Sequence, residues 1–218
     1  METHKAFQQD ASTILAGSGH LGSSYDRLKV RDIMANYDQL KAAIAKRHEP
    51  TAEHSIRVRI HATSLGFACR LTGNELTALS IAAEIHDIGK LQVPTGILDK
   101  PGPLTDADWA IVKRHSVWGA KIAALAFPSM PDVARCVLLH HERLDGTGYP
   151  NGLAGYEIPI LPRIMAVADA FAALTEDRTF RAAYSDVEAL RILMQDETGK
   201  YDQQILELLA KSQVAQQV

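Results

Sequence analysis

The chain has 218 residues, 46% of them hydrophobic and 22% charged, and its formal net charge of −3 at pH 7 argues against a nucleic-acid polymer as partner. No apolar run approaches the roughly 20 residues of a membrane span, and the N-terminus lacks the apolar core of a secretory signal, so we expect a cytoplasmic protein without membrane association. Cys69 and Cys136 stand in apolar helical stretches, where we expect free thiols.

The first 47 residues are predicted to form a linker and one helix ahead of a main domain at residues 48–218. Gly and Ser dominate residues 17–24, a composition typical of a flexible linker. Over residues 26–47, apolar residues recur at helical spacing. Two interpretations of this helix stay open. It packs on the main domain, or it is either a dimerisation helix, which would make a homodimer, or the remnant of a linker from a sensory domain.

From Thr51 onward the apolar pattern is helical almost throughout, and no alternating strand pattern stands out. Cap-type residues mark several starts, namely Thr51, Thr105, Ser116 and Ser185. The predicted helices span residues 51–71, 74–86, 106–113, 116–126, 131–142, 161–175, 186–195 and 202–211. The sequence therefore predicts an all-α domain.

Seven residues of metal-ligand type occur within or at the ends of these helices. His86 and Asp87 close an apolar helix, where they are costly to desolvate unless a hydrogen-bonded partner or a metal satisfies them. His140 and its neighbour follow an apolar run, and adjacent helix positions lie about 100° apart, so both face one metal only at a helix end. The full set is His54, His86, Asp87, His115, His140, His141 and Asp169. Such imidazoles and carboxylates can hold two divalent metals, a device for hydrolysing phosphate esters.

With these residues in their order, the chain resembles the HD-GYP family of HD-domain phosphohydrolases that degrade cyclic di-GMP. The resemblance covers about residues 51–209 and rests on motifs in the family order. These motifs occupy residues 54–58, 86–90, 97–102, 113–115 with Gly119, 140–150 and 167–169. The resemblance implies an all-α HD-domain helical bundle of the HD-GYP type, with the linker and helix at its N-terminus.

The resemblance also implies a dinuclear centre, with iron and manganese as the metals that the family commonly uses. Asp87 would bridge the two divalent ions. The other ligands would be His54, His86 and Asp169 for one ion, and His115, His140 and His141 for the other. The implied reaction is hydrolysis of cyclic di-GMP, first to linear pGpG, by a hydroxide that bridges the ions.

Four further residues are implied to contact the substrate. Lys90 would touch the scissile phosphate and would be catalytic together with Asp87. Arg178 and Arg181 would contact phosphate and guanine, and Tyr149 would lie on the substrate-side loop.

Two positions depart from the family pattern. A Glu that accompanies a third metal in many relatives is replaced by Pro50, predicted to lie just outside the helix start, so we expect two ions. Glu49 and, less favourably, Glu53 are the remaining carboxylates for a third ion. The usual Asp three residues after Asp169 is replaced by Ala172, which predicts slow turnover. Ala172→Asp is accordingly expected to raise the turnover rate.

Three functions remain open at this stage. The first is a cyclic di-GMP phosphodiesterase, which the complete ligand set favours. The second is a cyclic dinucleotide receptor with weak or no turnover that signals through a protein partner, such as a diguanylate cyclase, docked on the loop Gly148-Tyr149-Pro150. The third is a hydrolase of another phosphate substrate, which the complete Gly-Tyr-Pro loop disfavours.

Overall fold

The computed structural model describes residues 37–177 and 181–215. Over these ranges the chain is helical and forms no β-strand, although Asp145 and Ala154 make an isolated antiparallel bridge. The α-helices are α1 (Tyr37–Arg47), α2 (Glu49–Ala68), α3 (Gly73–Ile85), α4 (Thr95–Leu98), α5 (Asp106–Lys113), α6 (His115–Ala126), α7 (Pro131–Leu139), α8 (Ile160–Leu174), α9 (Asp186–Arg191) and α10 (Gln203–Ala215). The predicted all-α fold class is confirmed.

Shorter helical segments lie between these helices: the two 3-10 turns were not predicted, and the π-helical turn overlaps the end of a predicted helix. Two 3-10 turns span Ile88–Gln92 and Gly155–Glu157, and a π-helical turn spans Ile192–Asp196. The predicted helix over residues 186–195 is therefore α-helical only as far as Arg191. None of the described helices combines the length and the apolarity that a membrane span requires.

Helix α1 packs on the main domain, as the first of the two interpretations has it. Leu40 and Ile44, one helical turn apart, are buried in the same core as the other helices. Tyr37 donates a hydrogen bond from its hydroxyl to the buried carboxylate of Glu84 on α3, which ties the start of α1 to the domain. Residues 26–36 of the predicted helix lie outside the described residues, and the domain division after residue 47 stays a prediction.

Helix α2 begins earlier than predicted. Its N-cap is His48, whose Nδ1 accepts the backbone N–H of Thr51 at 3.3 Å, so the predicted cap at Thr51 was wrong. Pro50 lies in the first turn and not outside it, because a first-turn residue needs no N–H donor and proline already has a helical φ. The side chain of Glu49, which also lies in this turn, is outside the described part of the chain.

Of the other three predicted caps, two are confirmed and one is wrong. Thr105 and Ser185 accept hydrogen bonds from the N–H groups of Asp108 and Glu188, as expected for N-caps. The predicted start at Ser116 was wrong, because α6 begins at His115 immediately after α5 and has no side-chain cap.

Helices α2, α3, α7 and α8 pack against one another around the main core, and α6 packs on α7 and on the first 3-10 turn. Large side chains that are fully buried fill this core, among them Leu65, Leu79, Ile85, Met165 and Phe171. This packing brings the C-terminal ends of α3 and α7 next to the start of α6 and the middle of α2 and α8.

Candidate metal centre

The seven residues predicted as metal ligands converge on one place in the fold. They form three overlapping groups in which one ligand atom from each residue lies within 4.8 Å of the others. The groups are His54 with His86 and Asp169, His86 with Asp87 and His140, and His115 with His140 and His141. All seven are buried except His141, which is partly exposed. The groups share His86 and His140, so the donors form one continuous cluster.

Three of the histidines are oriented by the ends of helices. His86 follows α3, His140 follows α7, and His115 follows the last turn of α5. In each ring Nδ1 lies 2.7 to 2.8 Å from the carbonyl oxygen three residues earlier, in the last turn of that helix. Such carbonyls have no partner within the helix. Because a carbonyl only accepts hydrogen bonds, Nδ1 carries the proton and Nε2 presents a lone pair.

These lone pairs point at one another and at Asp87. Nε2 of His115 lies 3.3 Å from Nε2 of His140 and 3.3 Å from Oδ1 of Asp87. Nε2 of His86 lies 3.4 Å from Oδ2 of Asp87. Acceptors that face one another without a hydrogen between them repel, and a cation between them removes the repulsion. The residues present therefore fit a site for divalent metal ions.

His140, His141 and Asp87 are held in the protonation states that bind metals. Burial, reinforced by the neighbouring imidazoles, holds the pKa of His140 well below its usual value. Burial also lowers the pKa of His141 to about 3. For Asp87, burial works in the opposite direction, but Lys90 and His86 outweigh it and hold the pKa well below its usual value. Neutral imidazoles and an ionised carboxylate are the forms that coordinate metals.

His54 is held differently from the other histidines. It lies inside α2, with Nε2 at 2.9 Å from Oδ1 of Asp169 and Nδ1 at 3.1 Å from Oε2 of Glu176. Burial disfavours its charged form, but the hydrogen bonds to these two carboxylates outweigh burial and raise the pKa of His54 to about 9. A metal ion at Nε2 would therefore displace a proton at neutral pH. Glu176 was not predicted as a site residue.

Lys90 and Tyr149, two of the residues predicted to contact the substrate, lie beside the donor cluster. Both line a cavity of about 1060 Å³ whose wall includes six of the seven proposed ligands, all but His140. Nζ of Lys90 lies 2.6 Å from Oδ2 of Asp87. The ring centroids of Tyr149 and His141 are 4.6 Å apart, so the tyrosine covers one side of the donor cluster.

Arg181 lines the same cavity, but its guanidinium makes contacts that the sequence did not predict. Its N–H groups donate to the carbonyl oxygens of Ala173 and Leu174, at the end of α8, and of Ala182. Three of its donors are thus committed to the main chain, and fewer remain for a phosphate or a guanine. Arg178, predicted to act beside it, lies outside the described residues.

The loop that carries Tyr149 is fixed by a buried carboxylate. Glu142 accepts the N–H of Asn151 at 2.7 Å and the N–H of Leu153 at 3.0 Å, which ties the segment after Tyr149 back to the residues that follow α7. Gly148 has no room for a side chain, since a Cβ there would lie 2.5 Å from the carbonyl oxygen of His141. The sequence motif contained Glu142, but only the fold shows that it anchors the loop.

A second glycine keeps the first 3-10 turn against α6. A Cβ on Gly89 would overlap the carbonyl oxygen of His115 and lie 2.6 Å from the backbone nitrogen of Gly119. The absence of a side chain at Gly89 therefore lets the 3-10 turn that carries Lys90 pack directly on the start of α6, which carries His115.

Comparisons with known proteins identify the family of this chain. The family model described as the HD domain matches residues 38–205. The chain is 34% identical over 171 residues to 3′3′-cGAMP-specific phosphodiesterase 2 of Vibrio cholerae. This alignment covers 78% of this chain and 33% of that protein. It is 37% identical over 164 residues to cyclic di-GMP phosphodiesterase PA4108 of Pseudomonas aeruginosa. That alignment covers 75% of this chain and 39% of that protein. The chain thus spans between a third and two-fifths of the length of these relatives.

A solved structure shows the same fold. Bd1817, an HDG"Y"P protein from Bdellovibrio bacteriovorus, superposes with a TM-score of 0.62 at 19% sequence identity, over 95% of this chain and 78% of that one. With the family model and the curated relatives, this confirms the resemblance that the motifs indicated. The chain belongs to the HD-domain family, and within that family to the HD-GYP group.

Proposed function

We propose that the protein is a metal-dependent phosphodiesterase that hydrolyses cyclic di-GMP, with linear pGpG as the first product. The observation that carries the proposal is the cluster of converging lone pairs around Asp87, on the wall of a cavity of about 1060 Å³, which could hold a cation. Relatives named as phosphodiesterases for cyclic di-GMP and for 3′3′-cGAMP support a cyclic dinucleotide as the substrate class.

The geometry supports two ions that share Asp87. The two oxygens of this carboxylate face different histidines, Oδ1 towards His115 and Oδ2 towards His86. Asp87 would therefore bridge the ions. The remaining ligands would be His54, His86 and Asp169 for one ion, and His115, His140 and His141 for the other. Imidazole with carboxylate suits iron and manganese, the metals that we propose.

Divalent ions in this position supply Lewis acidity that activates water and neutralises charge on a phosphoryl group. The chain adds a positive charge of its own at Lys90, which Asp87 holds at the edge of the cluster across 2.6 Å. From there Nζ would contact the scissile phosphate and stabilise the negative charge that develops on it. Asp87 thereby serves two purposes, as the proposed bridging ligand and as the residue that places Lys90.

The remaining substrate contacts would come from the cavity wall. Tyr149 stands over His141, where its ring would limit the access of bulk water and face the dinucleotide. The donors of Arg181 that are not bound to the end of α8 would meet a phosphate or a guanine, and we propose the same for Arg178.

Metal loading followed by product analysis tests this function. The protein would be loaded anaerobically with Fe²⁺ or Mn²⁺ and incubated with cyclic di-GMP and 3′3′-cGAMP in separate reactions. We expect chromatography to show pGpG from cyclic di-GMP, and no product with Asp87→Ala. Turnover of 3′3′-cGAMP alone would replace the proposed substrate, and equal turnover by the variant would refute the proposed centre.

A receptor function is the second candidate, and one observation favours it. Ala172 is fully buried one turn from Asp169, at a position where the resemblance to the HD-GYP family implies a carboxylate. Tight binding of cyclic di-GMP without product in the same assay would support a receptor that signals through a protein partner on the loop Gly148-Tyr149-Pro150. A diguanylate cyclase is the partner class that we propose to test on that loop.

A further inference from the structure

The support of His54 sets it apart from the histidines at the helix ends. His54 lies inside α2, where the carbonyl groups of the preceding turn accept the hydrogen bonds of the helix itself. Its Nδ1 therefore has no main-chain acceptor of the kind that His86, His115 and His140 use. The carboxylate of Glu176, which follows α8, takes this place at 3.1 Å.

Glu176 is itself held by a residue of α2. Arg57 lies three residues after His54, and its Nε and Nη2 lie 3.2 Å and 2.8 Å from Oε2 of Glu176. Oε2 of Glu176 thus accepts hydrogen bonds from both the His54 ring and the Arg57 guanidinium. The Glu176 side chain is only 11% exposed, against 42% for Arg57, so the contact with His54 is shielded while the guanidinium reaches solvent.

This arrangement links two of the chain segments that supply the ligands of one ion. His54 belongs to α2 and Asp169 to α8, and Glu176 joins the end of α8 back to α2. A carboxylate that accepts the Nδ1 proton of a ligating histidine fixes the ring and makes its other nitrogen a better donor. Nε2 of His54 is then directed at Asp169 and towards the proposed ion.

We propose that Glu176 is a positioning residue for His54, and that Arg57 holds it in that role. The inference rests on the proposed function, because it needs the metal centre. The guanidinium neutralises the Glu176 carboxylate and occupies the oxygen next to His54, so this carboxylate orients a ligand and does not bind a third ion. The half of the centre formed by His54, His86 and Asp169 would depend on Glu176, and the half with His115, His140 and His141 would not.

Metal titration of the metal-free protein tests this without any substrate. Wild type, Glu176→Gln and the control Glu53→Gln would be titrated with Mn²⁺ by isothermal titration calorimetry. Glu53 lies beside His54 and lines the same cavity, so its variant removes an equal charge from the same wall. For Glu176→Gln we expect one of two binding steps to weaken roughly 10–100-fold. The other step, and both steps in Glu53→Gln, would stay at wild-type strength.

A spectroscopic measurement separates positioning from a merely structural role. Long-range ¹H–¹⁵N spectra of the metal-free protein report which ring nitrogen of a histidine carries a proton. We expect the signals of His54 to shift in Glu176→Gln, while those of His115 and His140 stay in place because main-chain carbonyls hold them. Arg57→Gln is a milder second variant, for which we expect a smaller loss in the same binding step.

Several results would overturn the inference. Mn²⁺ binding by Glu176→Gln at wild-type strength would do so, as would an equal loss in Glu53→Gln, which would reflect charge alone. If Glu176→Gln fails to fold, Arg57→Gln replaces it in the test. Mn²⁺ binding at wild-type strength by Arg57→Gln would then refute the proposed support of His54 by Glu176 and Arg57. If Glu176→Gln loses one Mn²⁺ binding step and the wild type does not turn over any cyclic dinucleotide, the proposed function is refuted and the inference stands. If the wild type hydrolyses the cyclic dinucleotide and Glu176→Gln binds Mn²⁺ as the wild type does, the inference is refuted and the proposed function stands.

Discussion

Lys90 and Asp87 form an ion pair of 2.6 Å in which the partly exposed ammonium meets a buried carboxylate. Replacing Lys90 by methionine keeps the length of the side chain and removes the charge that would face the scissile phosphate. We expect turnover to fall by roughly 10²–10³-fold, the usual cost of one electrostatic contact to a transition state. The Mn²⁺ content would stay unchanged.

Lys100→Met is the matched control for this experiment. Lys100 lines the same cavity but pairs with Asp108, at 2.5 Å, away from the proposed ligands. Equal losses of turnover in the two variants would show that Lys90 acts through the general charge of the cavity and not at the phosphate.

Metal binding should stabilise the folded protein, because the converging donors exist only in the fold. At a free Mn²⁺ concentration of about 100 times Kd, the free energy of unfolding rises by about 2.7 kcal/mol. For a chain of this size that corresponds to a rise in Tm of roughly 5–10 °C, measured by thermal denaturation. Asp87→Ala should keep its far-UV circular dichroism and show no shift. A rise in Tm of the same size in Asp87→Ala would mean that the ions bind at a site that does not include Asp87.

Gly148→Ala should disturb the loop over the cavity. The added Cβ would lie 2.5 Å from the carbonyl oxygen of His141 and 2.5 Å from Cα of Glu142, and backbone atoms cannot move aside cheaply. Overpacking of this kind costs about 1–3 kcal/mol, so we expect a Tm lower by several degrees and weaker substrate binding through Tyr149. Gly96→Ala is the control, since nothing lies within 4 Å of a Cβ there. A wild-type Tm for Gly148→Ala would contradict the tight fit.

Ala172→Asp should lower stability more than it raises activity. Ala172 is 0% exposed within the hydrophobic core and does not line the cavity. A carboxylate placed there would lie among the buried side chains of the core, and a buried charge without a partner is costly. The sequence predicts faster turnover for this variant, whereas the burial of Ala172 leads us to expect a lower Tm without a gain in rate. Faster turnover at an unchanged Tm would restore the prediction from the sequence.

The attachment of α1 should weaken in acid. Burial pushes the pKa of Glu84 upwards, but the hydrogen bond from Tyr37 and the charges of Lys41 and Arg59 outweigh it and hold the pKa below its usual value of 4.5. A carboxyl whose folded pKa is depressed stabilises the fold above the unfolded value and loses this contribution as pH falls through the folded value. Urea unfolding of metal-free wild type and Glu84→Gln should therefore show a stability gap at pH 7 that narrows below about pH 4.5. A gap that is constant with pH would mean that the ionised carboxylate does not hold α1.

The sequence predicted the parts of the site that depend on local pattern. His86 and His140 stand where apolar helical periodicity stops, and both lie just after a helix in the structure. The role of Glu176 could not be read in this way, because its partner His54 is far away in sequence and the contact exists only once α2 and α8 pack. Arg181 shows the same limit, since its motif indicated a substrate contact and gave no sign of its bonds to the end of α8.

Three histidines of the site take their orientation from the last turn of a helix, and this makes helix length a functional quantity. One residue inserted into α3 or α7 would rotate His86 or His140 by about 100° about the helix axis and turn its Nε2 away from Asp87. Substitutions on the outer faces of these helices leave the rings in place. Natural variants of this chain should therefore gain and lose residues in the connections between helices, and keep the number of residues from each core position to its histidine constant.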